Sequence, residues 1–215
     1  TTGIKTKRFN NLIAKKINYL NNSINLKLTT IKFKLDLKEL SLFLEAIDPK
    51  IYYQNSVIPA KNIKAYIDFI SLVKSNPKLK KINLILSQFD VEQLKKISSN
   101  FKPSNFTSFI NNRIKQGKLN IELEVFLDDK NLFDNFIARG SVLNLKTEIK
   151  NNINLQKTNF NFFADKNDIL IKNIVAESGP IKIKDGDLKI KLNSEISLES
   201  NFISSLKYND KFKNY

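Results

Sequence analysis

The chain contains no cysteine, histidine, methionine or tryptophan, and only 5 glycines and 5 prolines among 215 residues. Lack of cysteine excludes disulfides and thiolate metal sites, and leaves the redox compartment open. Lack of histidine removes the commonest metal ligand and the one side chain that titrates near neutral pH. Serine-triad, zincin and imidazole-based mechanisms are therefore excluded. There is no run of about 18 apolar residues and no signal-peptide core, so no segment is expected to span a membrane. A chain that opens Thr1-Thr2-Gly3 without a methionine is expected to be a piece of a longer protein. Gly117, Gly140, Gly179 and Gly186 stand alone, which excludes a glycine-rich phosphate loop. With glycine so scarce, Asn and Asp are expected at the left-handed turn positions: Asp128-Asp129, Asn151-Asn152, Lys166-Asn167-Asp168 and Asp185-Gly186-Asp187. Ser178-Gly179-Pro180 also reads as a turn.

What the chain has in excess is positive charge, +15 from 36 Lys and Arg against 21 Asp and Glu. Only Arg8, Arg113 and Arg139 are arginine. A nucleic-acid-binding surface clusters its basic residues and uses arginine for bidentate contacts. Here the lysines are spread over the polar side of nearly every element, as an AT-rich coding sequence produces without selection for binding, and no nucleic-acid partner is expected. Attraction to an anionic membrane surface is a second use for them. A basic module for anionic polymers would show affinity that falls steeply with salt.

The strongest pattern runs from Lys118 to Leu198. Leu119, Ile121, Leu123, Val125 and Leu127 alternate with polar residues, which gives a strand one apolar and one wet face. The period of two returns at Leu143 and Leu145, Ile153 and Leu155, Phe160 and Phe162, Ile169 and Ile171, Ile181 and Ile183, Leu188, Ile190 and Leu192, and Ile196 and Leu198. This predicts a long antiparallel meander with a continuous apolar face. That face is either buried under another layer or left as a groove.

The first half is mixed. Helices are predicted at Phe9 to Leu20, at Leu37 to Ala46 with Asp36 and Glu39 forming a capping box, at Asn62 to Ser75, from Asp90 with Gln93, and at Ser104 to Gln116 with Gly117 just past its end. The helix at Phe9 to Leu20 carries its apolar residues on one stripe, to pack on the sheet or to lie on a membrane. Strands are predicted at Ile24 to Leu35, with a bend at Thr29-Thr30, at Ile51 to Ile58 as an edge strand, and at Ile82 to Leu86. No Pro-, Gly- or Ser-rich linker divides the chain. Residues 1–117 form a mixed strand and helix part, and 118–215 an antiparallel meander continuing the same sheet.

Two carboxylate pairs, Asp128 with Asp129 and Asp185 with Asp187, could do acid–base work, but turn chemistry accounts for both. Asp185-Gly186-Asp187 is too short for a calcium loop. No enzyme, metal or cofactor is expected.

The strand Ile24 to Leu35 (I-x-L-x-L-x-x-I-x-F-x-L), Leu37-Lys38-Glu39-Leu40-Ser41-Leu42 followed by Asp48-Pro49-Lys50-Ile51-Tyr52, Ile58-Pro59-Ala60, and Phe89-Asp90-Val91 together resemble the N-terminal regions of AsmA-like bacterial envelope proteins. Phe136-Ile137-Ala138-Arg139-Gly140-Ser141-Val142 is similar to their recurring F-x-A-x-G-x-V strand, and Leu188-Lys189-Ile190 to their later meander. With TamB and the bridge-like lipid transfer proteins, that family implies a mainly β fold with some α (α+β). Its long antiparallel sheet is strongly curved into an open groove or half-barrel, with short helices concentrated in the N-terminal half. It implies a non-enzymatic segment that binds or conducts phospholipids along an apolar groove between inner and outer membranes. The setting implied is the periplasm, in a parent held by an inner-membrane anchor outside this chain. The partners would be phospholipid acyl chains and a membrane surface. The groove would be lined by Leu119, Ile121, Leu123, Val125, Leu127, Leu143, Leu145, Ile153, Leu155, Phe160, Phe162, Ile169, Ile171, Leu188, Ile190 and Leu192. Physics fits this implication: moving a 16-carbon acyl chain into water costs on the order of 13 kcal/mol, at about 0.8 kcal/mol per methylene. A carrier must therefore offer apolar surface along the whole route. The alternative is a structural or assembly scaffold of the envelope whose apolar face is closed, with the segments 62–75 and 90–116 as covering helices.

Overall fold

A computed structural model describes residues 4–6, 24–28, 31–36, 41–68, 71, 78–130, 132–150, 153–192 and 195–207. The helix predicted at Phe9 to Leu20 and the turn at Asn151-Asn152 lie outside them. Among the described residues the fold is mainly β, with antiparallel pairing and two short helices.

The strands are β1 Ile4–Thr6, β2 Ile24–Lys27, β3 Ile31–Asp36, β4 Ser41–Ile47, β5 Lys50–Tyr53, β6 Ser56–Ile58, β7 Ala60–Ile67, β8 Leu79–Leu86, β9 Phe89–Asp90, β10 Ile114–Leu127, β11 Phe133–Lys150, β12 Ile153–Ala164, β13 Asp168–Ser178, β14 Ile181–Lys191 and β15 Ser197–Leu206. The helices are α1 Val91–Ser98 and α2 Asn105–Arg113. Twelve strands form one open sheet in the order β1-β3-β4-β7-β8-β10-β11-β12-β13-β14-β15, with β9 on the end of β10. Strands β2, β5 and β6 form a small second sheet. The chain divides into two compact units, 1–87 with 121–137, and 88–120 with 138–215.

In the first unit, register puts Ile31, Ala46, Ile63 and Leu84 in one row across β3, β4, β7 and β8, with Phe33, Leu44, Ala65 and Ile82 beside it. Leu123 faces Leu84 and Val125 faces Ile82. This apolar face is closed by the small sheet: Leu26 and Ile51 join Ile31, Leu44, Ala46, Ile63, Ala65 and Ile82 in one buried cluster, and Val125 packs against it.

The reverse face carries a cross-strand network. Asn62 Nδ2 donates to Glu45 Oε1 at 2.8 Å, Lys34 pairs with Glu45, and Asn83 Nδ2 donates to Glu122 Oε1 at 2.8 Å. Lys64 lies 5.4 Å from the centre of the Phe43 ring and Lys81 4.4 Å from that of Tyr66. Burial works against the charged form of Glu45, but the Lys34 ammonium, the Asn62 amide and Lys64 outweigh it and hold the carboxyl below its usual 4.5. A lowered folded-state pKa stabilises the fold above the unfolded value, and that contribution is lost as pH falls through the folded one. Stability is therefore expected to drop below about pH 4.5, with Glu45→Gln flattening part of the drop. Urea midpoints at about pH 6 and about pH 3.5 measure this; equal pH slopes in the two proteins would remove Glu45 from the account.

Two predicted helices are strands. Residues 41–47 and 60–67 form β4 and β7, because both of their faces are buried: Leu44 and Ala46 on one side of β4, Phe43 and Glu45 on the other. A strand covered on both sides loses its alternation and reads like a helix. The single strand predicted over Ile51 to Ile58 is the hairpin β5-β6, turning at Gln54 with φ 50°. The predicted strand Ile24 to Leu35 is β2 and β3, which lie in different sheets. The two described helices, at 91–98 and 105–113, lie near the middle of the sequence.

In the second unit, Asp90 caps α1 with Gln93 completing the box, as its spacing predicts. Ser104 caps α2, which ends at Arg113 and not at Gln116. Gly117 then lies inside β10, not at a helix end. Asp185-Gly186-Asp187 also lies inside a strand, β14, and forms no turn. The turns at 128–132 and 165–168 form as expected: Asp128 Oδ1 accepts from Lys130 N and Leu132 N, and Asp165 Oδ1 from Asn167 N and Asp168 N. Those two amides hold the Asp165 carboxyl below its usual range.

Candidate functional site

Antiparallel partners share a face, so register decides which apolar rows stand together. Across the second unit, Gly140 faces Phe162 and Val142 faces Phe160; Phe162 faces Ile171 and Ala164 faces Ile169. Ile171 faces Leu188, Ile169 faces Ile190, and Ile190 faces Leu198. Phe160, Phe162, Ile169, Ile171, Leu188 and Ile190, six of the residues expected from the sequence, therefore lie on one face of consecutive strands.

The rows stay together because each change of parity along a strand is absorbed by a bulge. Asn144, Lys157 and Asn173 take left-handed backbone angles of 51°, 49° and 55° where the registers shift. The extra residue moves the alternation by one. After Asn144, Leu145 joins Val142, while Leu143 falls on the side of Ser141 and leaves the apolar set. After Lys157, Leu155 faces Thr147 on the Leu145 side. After Asn173, Ile174 and Ala176 take over the face from Ile169 and Ile171, and Ile183 stands opposite Ala176.

Phe202 faces Gly186 and extends the set to β15. Sequence alternation missed Ile174, Ala176 and Phe202; the signal was available as asparagine and glycine inside otherwise apolar runs. Ile153 begins β12 and is exposed, and Leu192 lies just past β14, also exposed.

The reverse side is mixed: Phe163 faces Leu170 there, and Phe163, Val175 and Ile203 are exposed among its charges. Asp168 faces Lys191, Lys189 faces Glu199, and Glu177 is paired with both Lys182 and Lys157 at 3.0 Å. Those two ammonium groups, Lys182 foremost, keep the Glu177 carboxyl below its ordinary value.

What covers the apolar face differs along it. Near β10 the helices take it: Val91, Ile110 and Ile114 form a small core against which Leu94 and Leu145 pack. Leu119 faces Phe89 at that end. Ile121, Leu123, Val125 and Leu127 belong to the first unit, where Val125 is committed to the closed core. From Phe160 to β15 most of the face's large side chains are half-buried or open, with Leu198 62% and Phe202 45% exposed, while Ala176 is buried at 1%.

Among the described residues no group of three or more His, Cys, Asp or Glu could hold a metal, and no helix is long and apolar enough to cross a membrane. No family model, curated protein or solved structure matches the chain.

Proposed function

We propose that the apolar face running from Phe160 to Phe202 holds the acyl chains of phospholipids, and that the chain is a non-enzymatic segment of an AsmA-like envelope protein. In this reading the sheet curls so that this face is concave, headgroups stay in water, and the parent protein carries lipid across the periplasm between the two membranes. The observation that supports it is one face, shared through bulges in β11, β12, β13 and β14, on which Phe160, Phe162, Ile171, Leu188 and Leu198 remain only partly covered. Strands about 4.8 Å apart make that face about 14 Å wide from β12 to β15. An apolar surface of that extent left toward solvent is a binding surface more often than an accident.

The second reading, a structural scaffold with a closed core, draws its support from the first unit, where the small sheet covers the apolar face and includes Val125.

Mass spectrometry of lipid extracts from the purified chain tests the proposal. Phospholipid is expected at stoichiometric levels with the native sequence and with Lys172→Asp, which lies on the reverse side of the sheet opposite Asn161. Ile171→Asp is expected to lose most of it, since an unpaired carboxylate against an acyl chain is strongly unfavourable. Native protein carrying no phospholipid above background contradicts the reading.

A further inference from the structure

The two helices do not fill the space beneath them. Phe89, Leu94, Phe109, Ile114, Leu119 and Phe160, with Val142 and Leu145, surround a cavity of about 160 Å³ that is partly open to the surface. Only Asp90 and Lys118 bring polar side chains to it. Asp90 is occupied in capping α1, where it accepts from Gln93 N at 3.0 Å, and Lys118 is exposed. Gly117 contributes to the wall without a side chain; a Cβ there would stand 3.4 Å from Leu145 Cα. No donor or acceptor from a neighbouring side chain is aimed into the space to hold a water in place, and a water needs two to four polar partners to be held. A dry apolar cavity of about 150 Å³ accepts benzene or xenon, so this one has room for about six carbons.

Two lining residues, Val142 and Phe160, stand opposite each other and belong to the open face. Phe160 leads by alternation to Phe162, and Phe162 to Ile171. A hydrocarbon chain lying across β13 and β12 therefore meets the cavity without crossing polar surface. We propose that the cavity takes the terminal methylenes of a single acyl chain and acts as an end-stop under α1 and α2. It would thereby grade ligands by chain length.

The length-grading arm rests on the acyl-binding reading above; the existence of the apolar site does not. Two measurements keep them apart. In the first, benzene is added to the purified chain and its melting temperature followed, beside Val142→Phe and Leu94→Phe, which fill the space from the sheet and from α1. The melting temperature is expected to rise with benzene in the native chain and to stay unchanged in whichever filled variant retains a native circular dichroism spectrum. No rise in the native chain overturns the cavity whatever happens with lipids.

In the second, fatty acids of eight and sixteen carbons compete for the same proteins. Each buried methylene is worth about fourfold in affinity. The filled variant is expected to bind the sixteen-carbon acid at least about tenfold more weakly while the eight-carbon acid changes little. Equal loss for both lengths, or none for either, overturns the end-stop. Absence of all fatty-acid binding beside a positive benzene result removes the end-stop and the acyl-binding reading, and leaves the cavity as a site for small apolar molecules.

Discussion

Gly140→Ala is expected to cost about 2–3 kcal/mol, near the upper range for overpacking, whereas Gly186→Ala costs under about 1 kcal/mol. Both glycines face a phenylalanine across the sheet, Gly140 facing Phe162 and Gly186 facing Phe202. In each pair the ring covers the bare backbone opposite, a recognised way of making glycine tolerable in a strand. What lies behind each glycine differs.

A Cβ on Gly140 would overlap the main-chain oxygen of Asn120 and stand 2.7 Å from Phe162 Cζ. The oxygen belongs to a paired strand and cannot move alone. A Cβ on Gly186 would overlap only the Phe202 ring, with Ile174 Cβ at an ordinary 3.4 Å. Phe202 is 45% exposed on the sheet's last strand and can turn toward solvent. Urea unfolding of the two variants measures the contrast. Equal losses would mean that the ring, not the carbonyl, sets the limit at both positions.

The second large effect lies in the other unit. Ile31→Ala is expected to destabilise by about 2–5 kcal/mol, the range for emptying a fully buried aliphatic site. Ile31 is 1% exposed, faces Ala46, and sits in the cluster that joins the large sheet to Leu26 and Ile51 of the small one. Leu35, on the same strand and the same side, is 48% exposed. Leu35→Ala is expected to cost less than about 1 kcal/mol, so the pair isolates burial from strand propensity. Typical domain stabilities are about 5–15 kcal/mol, which makes the Ile31 loss visible in any unfolding measurement. A loss at Ile31 no larger than at Leu35 would contradict the closed core of the first unit.

How far the sequence carries depends on how many faces of an element meet water. Strands with one wet face, β10 and β12 to β14, announce themselves by alternation. Asp90 with Gln93 places α1 because a capping box is a local device. Strands β4 and β7 are hidden because they bury both faces, and Ile63, Tyr66 and Ile67 then fall at helical spacing by coincidence.

The apolar face is legible in outline and misread in detail at the bulges. Strict alternation pairs Leu143 with Leu145, but the left-handed Asn144 separates them, and at Asn173 a second shift brings in Ile174 and Ala176. Asparagine inside an apolar run was a usable hint, since it tolerates positive φ better than most residues. Lys157 offered no such hint. The closed cluster of the first unit, against which Val125 packs, was not legible, because nothing local to Val125 distinguishes it from Ile171 of the second unit.

The most direct test of the acyl-binding face uses adjacent positions on opposite sides. A photoactivatable benzoyl-phenylalanine is placed at Phe162, Ile171 or Leu188, and in separate proteins at Asn161, Lys172 or Lys189 on the other side. Each protein is irradiated in the presence of radiolabelled phospholipid. Label is expected at the first three positions and little at the second three. Label spread equally over both sets, or confined to the second, would contradict the acyl-binding face.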